Sequence, residues 1–455
     1  NPDDETYNVA EQAALGLEFA MASTSDPVEQ EALKKRYTHE FLRWLIAHEV
    51  GHTLGFRHNF KSSATYSLEQ LADSNFTRLH SVSGSIMDYA APNIAGRGKP
   101  QGHFCAPIPG PADDWTVEYA YSVWGAQSPE EERSRLEKIA SRCGEPQLIF
   151  GSDEDAYGGS IRSIDPDCNL WDLSSDVIGF SAHKIELTKD LWTRALVEME
   201  QPGVRYPRIR TAFQTGWRSY TDAATWVPKF IGGIYGSRDH IGDPNAHLPY
   251  RNVSAADQRR AMKLMQDYLF APNAFDLPAS VLNRLALDHM PDFEGTVYTA
   301  PQLDYPIHQT VMRIQALALD RLYSPYVLGR LLNNAVRYNP GETPYLMTDM
   351  FTDMRKGIWS EALTPRSVNS FRRQLQLAHL EELISIYLSS QSTFPTDART
   401  LASNDLNVLE SSCSRAAESP TIDAMTKAHF REVVRQITAA KKAQRDYGSL
   451  IILGQ

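Results

Sequence analysis

The chain has 455 residues, 42% of them hydrophobic and 10% aromatic, which is too rich in core-forming side chains for a disordered polypeptide. At about 100–200 residues per domain, the length predicts two to four domains. Its 45 Lys and Arg against 56 Asp and Glu leave a net charge of −11 with no basic block, which argues against nucleic acid as a partner. No run approaches 18 uninterrupted apolar residues, so no transmembrane segment is expected.

The sequence opens Asn1-Pro2-Asp3-Asp4-Glu5, without a basic and apolar leader, and reads as a processed product or a piece of a longer chain. Residues 8–23 and 27–54 carry helical periodicity. In the second, Phe41, Leu45, His48 and His52 share one face, and Leu42, Ile46 and Val50 form another apolar stripe. A helix apolar on two sides is expected to be buried. Gly55 stands where a left-handed residue would end it. Residues 59–113 read as loops, and helices are expected over 115–124 and 129–140. An acidic, turn-rich stretch follows, with Asp153, Asp155 and Asp165 among its carboxylates.

From about 183 onward the pattern is helical. Ser254 is placed to cap a helix running to Phe270, and Pro278, Pro306 and Pro365 sit where first-turn prolines would. The longest periodic runs are 306–337, 366–389 and 421–446. No fixed-period repeat supports a solenoid. The domain division expected is 1–143, an N-terminal region that holds the histidine motif described next; 144–182, an acidic connecting segment; and 183–455, a helical domain. Cys105, Cys143, Cys168 and Cys413 allow three pairings, and a local bridge in an oxidising compartment and buried free thiols both stay open.

One segment carries chemistry: His48-Glu49-Val50-Gly51-His52-Thr53-Leu54-Gly55-Phe56-Arg57-His58, an H-E-x-x-H-x-x-G-x-x-H pattern. Histidines four apart on a helix lie one above the other, so both imidazoles can reach one metal at about 2.0–2.1 Å. Glu49, offset by about 100°, can face a metal-bound water without ligating. Gly55 lets the chain turn and return His58 as third ligand. Three His ligands leave a fourth position open, the mark of a catalytic zinc site rather than a structural one. Such a zinc lowers the pKa of its water to about 7, and Glu49 would take the proton as the water attacks a carbonyl. Chance coincidence of the five fixed residues has a probability on the order of 10⁻⁵ to 10⁻⁴.

Ser85-Ile86-Met87-Asp88-Tyr89 follows, with Met87 29 residues beyond His58, in a turn-like context. With this second element the chain resembles the metzincin clan of zinc endopeptidases. The resemblance implies that Met87 forms a hydrophobic floor beneath the imidazoles. It also implies that Tyr89, two residues on, ligates zinc or stabilises the tetrahedral intermediate. Asn59-Phe60-Lys61 after the third His, Asp114-Trp115 with Tyr119, Asp165-Pro166-Asp167-Cys168-Asn169, Ile231-Gly232-Gly233 and Gln258-Arg259-Arg260-Ala261 extend the likeness. They point to the large bacterial met-zincin family, extracytoplasmic metalloproteases with a long extension after the catalytic domain.

That resemblance implies an α+β catalytic domain whose sheet precedes the active-site helix, yet only 47 residues stand before His48 and they read as helix. The expectation is therefore a mainly α chain, with the sheet in an upstream segment that would act as a partner. The expected function is a zinc-dependent endopeptidase with one catalytic zinc, acting on a protein or peptide substrate outside the cytoplasm. A scaffold whose helical region binds a partner or a surface polymer is the competing reading.

Weaker signals point elsewhere. His39-Glu40 lacks its second His, because Arg43 occupies that position. Histidines 80, 103, 183, 240, 247, 289, 308, 379 and 429 show no ligand spacing. Asp153, Asp155 and Gly158 match calcium-loop positions 1, 3 and 6, but Tyr157 and Ile164 occupy positions 5 and 12, so a solvated loop is preferred over a calcium site.

Overall fold

The computed structural model describes residues 2–195, 198–287, 302–389 and 393–453. Among these the chain is mainly helical, and the sheet is two short strands, Ile234–Gly236 paired with Tyr250–Asn252. No helix among the described residues is long and apolar enough to cross a membrane. The chain divides into two compact units. The first comprises Asn1–Trp226, Ile234–Arg251 and Leu277–Tyr305, and the second Val227–Gly233, Asn252–Asp276 and Pro306–Gln455.

In the first unit, helix Pro2–Ala22 packs against helix Pro27–Thr53. The second helix starts where the sequence dictates: Pro27 occupies its first turn, and the Asp26 carboxylate accepts from Val28 N at 2.9 Å. Its buried face is Tyr37, Phe41, Trp44, His48 and Gly51, a single helical stripe. Phe41 and Trp44 meet edge to face at 5.3 Å, and Trp44 meets Trp171 at 6.1 Å.

The second apolar stripe is not buried as its composition suggested. Leu42, Ile46, Val50 and Leu54 are 50%, 64%, 49% and 43% exposed. Among the described residues, core elements cover one side of this helix only, and the periodicity of an apolar stripe does not say which side that is.

The boundary expected at 183 falls instead beyond Trp226. Helix Val177–Asp190 packs on helix Tyr206–Trp226, and a buried carboxylate joins both to the N-terminal helix. Asp222 accepts from Lys184 Nζ at 2.7 Å, from Arg218 Nε at 2.8 Å and from Gln12 Nε2 at 3.3 Å. An unpaired charge in that position would be strongly unfavourable, so these elements belong to one core. The acidic stretch is likewise not a connector but part of this unit: Lys61, buried, holds Asp165 at 2.8 Å and the Gly236 carbonyl at 3.1 Å.

The second unit gathers helices Ala255–Met265, Ile307–Leu322, Pro325–Ala335, Met347–Ile358, Ser370–Leu388, Thr396–Ala417 and Ala424–Leu453. Ser254 caps the first of these, accepting from Asp257 N at 3.0 Å. Gln258, from the Gln-Arg-Arg-Ala segment, clamps the Gly-Gly turn by accepting from Gly232 N at 3.0 Å and donating to the Val253 carbonyl at 2.9 Å. The expected run 306–337 is two helices, because Ser324 and Pro325 open a new one. Pro278 and Pro306 stand at cap positions rather than in first turns, and Pro365 precedes a helix that Asn369 caps. At the centre, Arg372 pairs bidentately with Glu361, at 2.9 and 3.2 Å, both nearly inaccessible. All four cysteines are free thiols.

Candidate metal centre

His48 and His52 lie on consecutive turns of helix Pro27–Thr53, and the chain reverses directly after it. Gly55 takes φ +84°, Gly55 N donates to the His52 carbonyl at 2.9 Å, and Phe56 N donates to the Gly51 carbonyl at 3.1 Å. This Schellman pattern satisfies two terminal carbonyls and requires the left-handed residue at Gly55. It has a second effect, because it places the Phe56 carbonyl 2.9 Å from His52 Nδ1.

The three histidines converge. His52 Nε2 stands 3.1 Å from His48 Nε2 and 3.2 Å from His58 Nε2, and theirs is the one group of potential ligands that draws together among the described residues. Each Nδ1 is directed outward to an acceptor: His48 to the Ile86 carbonyl at 2.8 Å, His52 to Phe56, and His58 to Asp153 Oδ1 at 2.9 Å. Nδ1 therefore carries the hydrogen in all three rings, and three Nε2 lone pairs face one point. Burial, aided by the neighbouring imidazoles and opposed by the Ile86 hydrogen bond, lowers the His48 pKa to about 4, so that ring is neutral at physiological pH.

The donor set fits zinc. Ligands about 2.0–2.1 Å from a tetrahedral centre stand about 3.3–3.4 Å apart. The observed separations lie within a few tenths of an ångström of that, and lone pairs aimed at one another need a cation between them.

The segment Ser85–Tyr89 passes beneath. Met87 is buried, and its sulfur lies against Gly51, where an added Cβ would come within 2.2 Å of it. Asp113 holds this turn: its carboxylate accepts from Ser85 Oγ, and from Ile86 N and Gly110 N, each at 2.8 Å. Tyr89 is 7% exposed, stacked between His48 at 4.9 Å and Trp171 at 5.1 Å, with His58 also at 4.9 Å. Glu49 is exposed, on the turn between the two helical histidines.

The structure brings His48, His52, His58, Met87 and Tyr89 together, with Glu49 on the same helix and Gly55 just beyond its end. Gly51, Asp113, Trp171 and Asp153 meet the same site without a motif that marks them. Of these, Asp153 carries a sequence signal only as a calcium-loop position. Here its carboxylate meets His58, Glu154 pairs with Arg57 at 2.5 Å, and both Glu154 and Asp155 pair with Arg238. The loop is thus committed to the histidine site rather than simply solvated. His39 is exposed, Glu40 is engaged by Arg36 at 2.8 Å, and His289 lies outside the described residues.

A family model described as Met-zincin matches residues 30–366. No curated protein and no solved structure matches the chain. The match spans both the histidine site and the start of the helical extension, and on it the chain belongs to the Met-zincin family.

Proposed function

We propose that this chain is a zinc endopeptidase in which His48, His52 and His58 hold the metal and Glu49 is the general base. The convergence of three Nε2 lone pairs beside an exposed glutamate carries the reading. Zinc bound there would supply Lewis acidity, polarising a peptide carbonyl and acidifying a water. Glu49 projects from the same helix as two of the histidines and is open to solvent, so its carboxylate can accept a proton from the attacking water. It then returns that proton to the leaving amine. Tyr89, fixed between Trp171 and His48, has no freedom to swing widely, and its hydroxyl is assigned to steadying charge on the carbonyl oxygen.

The test is cleavage of an unfolded protein by the wild-type chain, Glu49→Ala and Tyr89→Phe, with zinc content measured in parallel. Glu49→Ala should abolish cleavage and keep its zinc, while Tyr89→Phe should keep zinc and lose about 10²-fold in kcat. Cleavage that survives Glu49→Ala overturns the mechanism. A zinc-loaded wild-type chain without cleavage favours the scaffold reading.

A further inference from the structure

We infer that Asp153 is a positioning residue of the metal centre, the carboxylate that fixes His58 in ring orientation and tautomer. The inference rests on the zinc reading above. The three histidines are not supported alike. His48 and His52 donate to neutral backbone carbonyls provided by the turn at Ile86 and by the helix terminus, and both acceptors are local to the motif or to the Met87 turn. His58 lies beyond the helix, where no regular structure orients it, and its Nδ1 meets an anionic side chain 95 residues later at 2.9 Å.

That carboxylate is itself built in. Phe60 N donates to the Gly151 carbonyl at 2.7 Å, Gly151 N donates to Asn59 Oδ1 at 3.2 Å, and Asn59 Nδ2 donates to the Ile149 carbonyl at 3.0 Å. The two residues after His58 therefore clamp the segment leading into Asp153. Ser152 N donates to Asp155 Oδ2 at 3.0 Å across it. The second oxygen of Asp153 accepts from Ser152 Oγ at 3.1 Å and faces Arg57 Nη2 at 3.4 Å. Phe60 stacks on the His58 ring at 4.7 Å, so the ring is held by its face as well as by its edge.

A charged acceptor makes a stronger hydrogen bond than a carbonyl and increases electron donation from the ring to a metal. The acidic loop thus completes the histidine set from a distant part of the sequence. Glu154 is the internal control: it is the next residue, carries the same charge and binds Arg57, but it does not touch His58.

The experiment measures zinc affinity of the full chain by competition with a chromophoric chelator, together with the visible spectrum of the cobalt-substituted protein. Asp153→Ala should weaken zinc binding about 10–100-fold. Asp153→Asn, which keeps shape and an acceptor oxygen, should fall between it and the wild type and should shift the cobalt bands. Glu154→Ala should stay within about twofold of wild type, and thermal melts of the zinc-free variants identify any that fail to fold, in which case Asp153→Asn decides. Wild-type-like affinity in Asp153→Ala or Asp153→Asn overturns the inference, and so does an equal loss in Glu154→Ala, which would assign the effect to net charge. A wild-type chain that binds no zinc overturns the zinc reading and this inference with it.

Discussion

At the scale of single residues, the site is shaped as much by a missing side chain as by those present. Gly51 sits between the two helical histidines on the buried face, and the Met87 sulfur occupies the space its Cβ would take. In a helix interior glycine is unfavourable by about 0.8–1.0 kcal/mol relative to alanine, so its presence marks a close approach. Gly51→Ala is therefore expected to destabilise rather than stabilise, by about 1–3 kcal/mol, because Met87 must be displaced against a packed floor. Denaturant melts of Gly51→Ala, Met87→Ala and the double variant check this. The double variant should lose less than the sum of the two singles. Additivity within about 0.5 kcal/mol would mean that the two residues do not share that space.

At the scale of elements, helix Pro27–Thr53 shows what the sequence could and could not reveal. Its start, its end and the spacing of its histidines are local properties, written as Asp26-Pro27, Gly55 and H-E-x-x-H. Which of its two apolar stripes is buried is decided by distant residues such as Phe104 and Trp171, which no periodicity names. The same limit hid Asp113 and Asp153, single carboxylates whose partners lie about 27 and 95 residues away. Helix Thr396–Ala417 does not stand out among the longest periodic runs, because its buried face relies on Ala398, Ala402, Ala416 and Cys413 as much as on leucines. The orientation of this helix makes a direct prediction. Ile46→Asn, on the exposed stripe, should change stability by no more than about 0.5 kcal/mol, whereas Trp44→Ala, two residues earlier, should cost about 3–5 kcal/mol. Chemical denaturation of both variants measures it, and a large loss at Ile46 would show that this face is covered.

At the scale of the whole molecule, the second unit encloses histidines far from any motif, and its acid stability should report them. His379 is fully buried: the Trp359 indole donates to its Nδ1 at 2.9 Å, and its Nε2 meets the Tyr323 hydroxyl at 2.6 Å. Burial, assisted by the charges of Arg372 and Arg355, lowers its pKa to about 3. His429, held by Gln376 Oε1 at 2.8 Å, is lowered to about 4, again chiefly by burial. Both rings are neutral in the folded chain, while the unfolded chain protonates them below pH 6.5. Their contribution to stability is therefore complete above pH 6.5 and declines as pH falls, by about 1.4 kcal/mol per unit for each ring, until the folded pKa is reached. Buried carboxylates act in the opposite sense. Asp405, pushed up to about 6 by burial, takes up a proton in the folded chain before the unfolded chain does, which flattens the raw curve. A difference measurement removes that opposition. Between pH 7 and pH 5, the stability of His379→Gln should rise relative to wild type by about 2 kcal/mol, whatever the substitution costs at neutral pH. Urea titrations of both proteins at the two pH values give the comparison. Parallel pH dependences would mean that His379 is protonated within the fold and that the Trp359–His379–Tyr323 chain of hydrogen bonds does not hold it neutral.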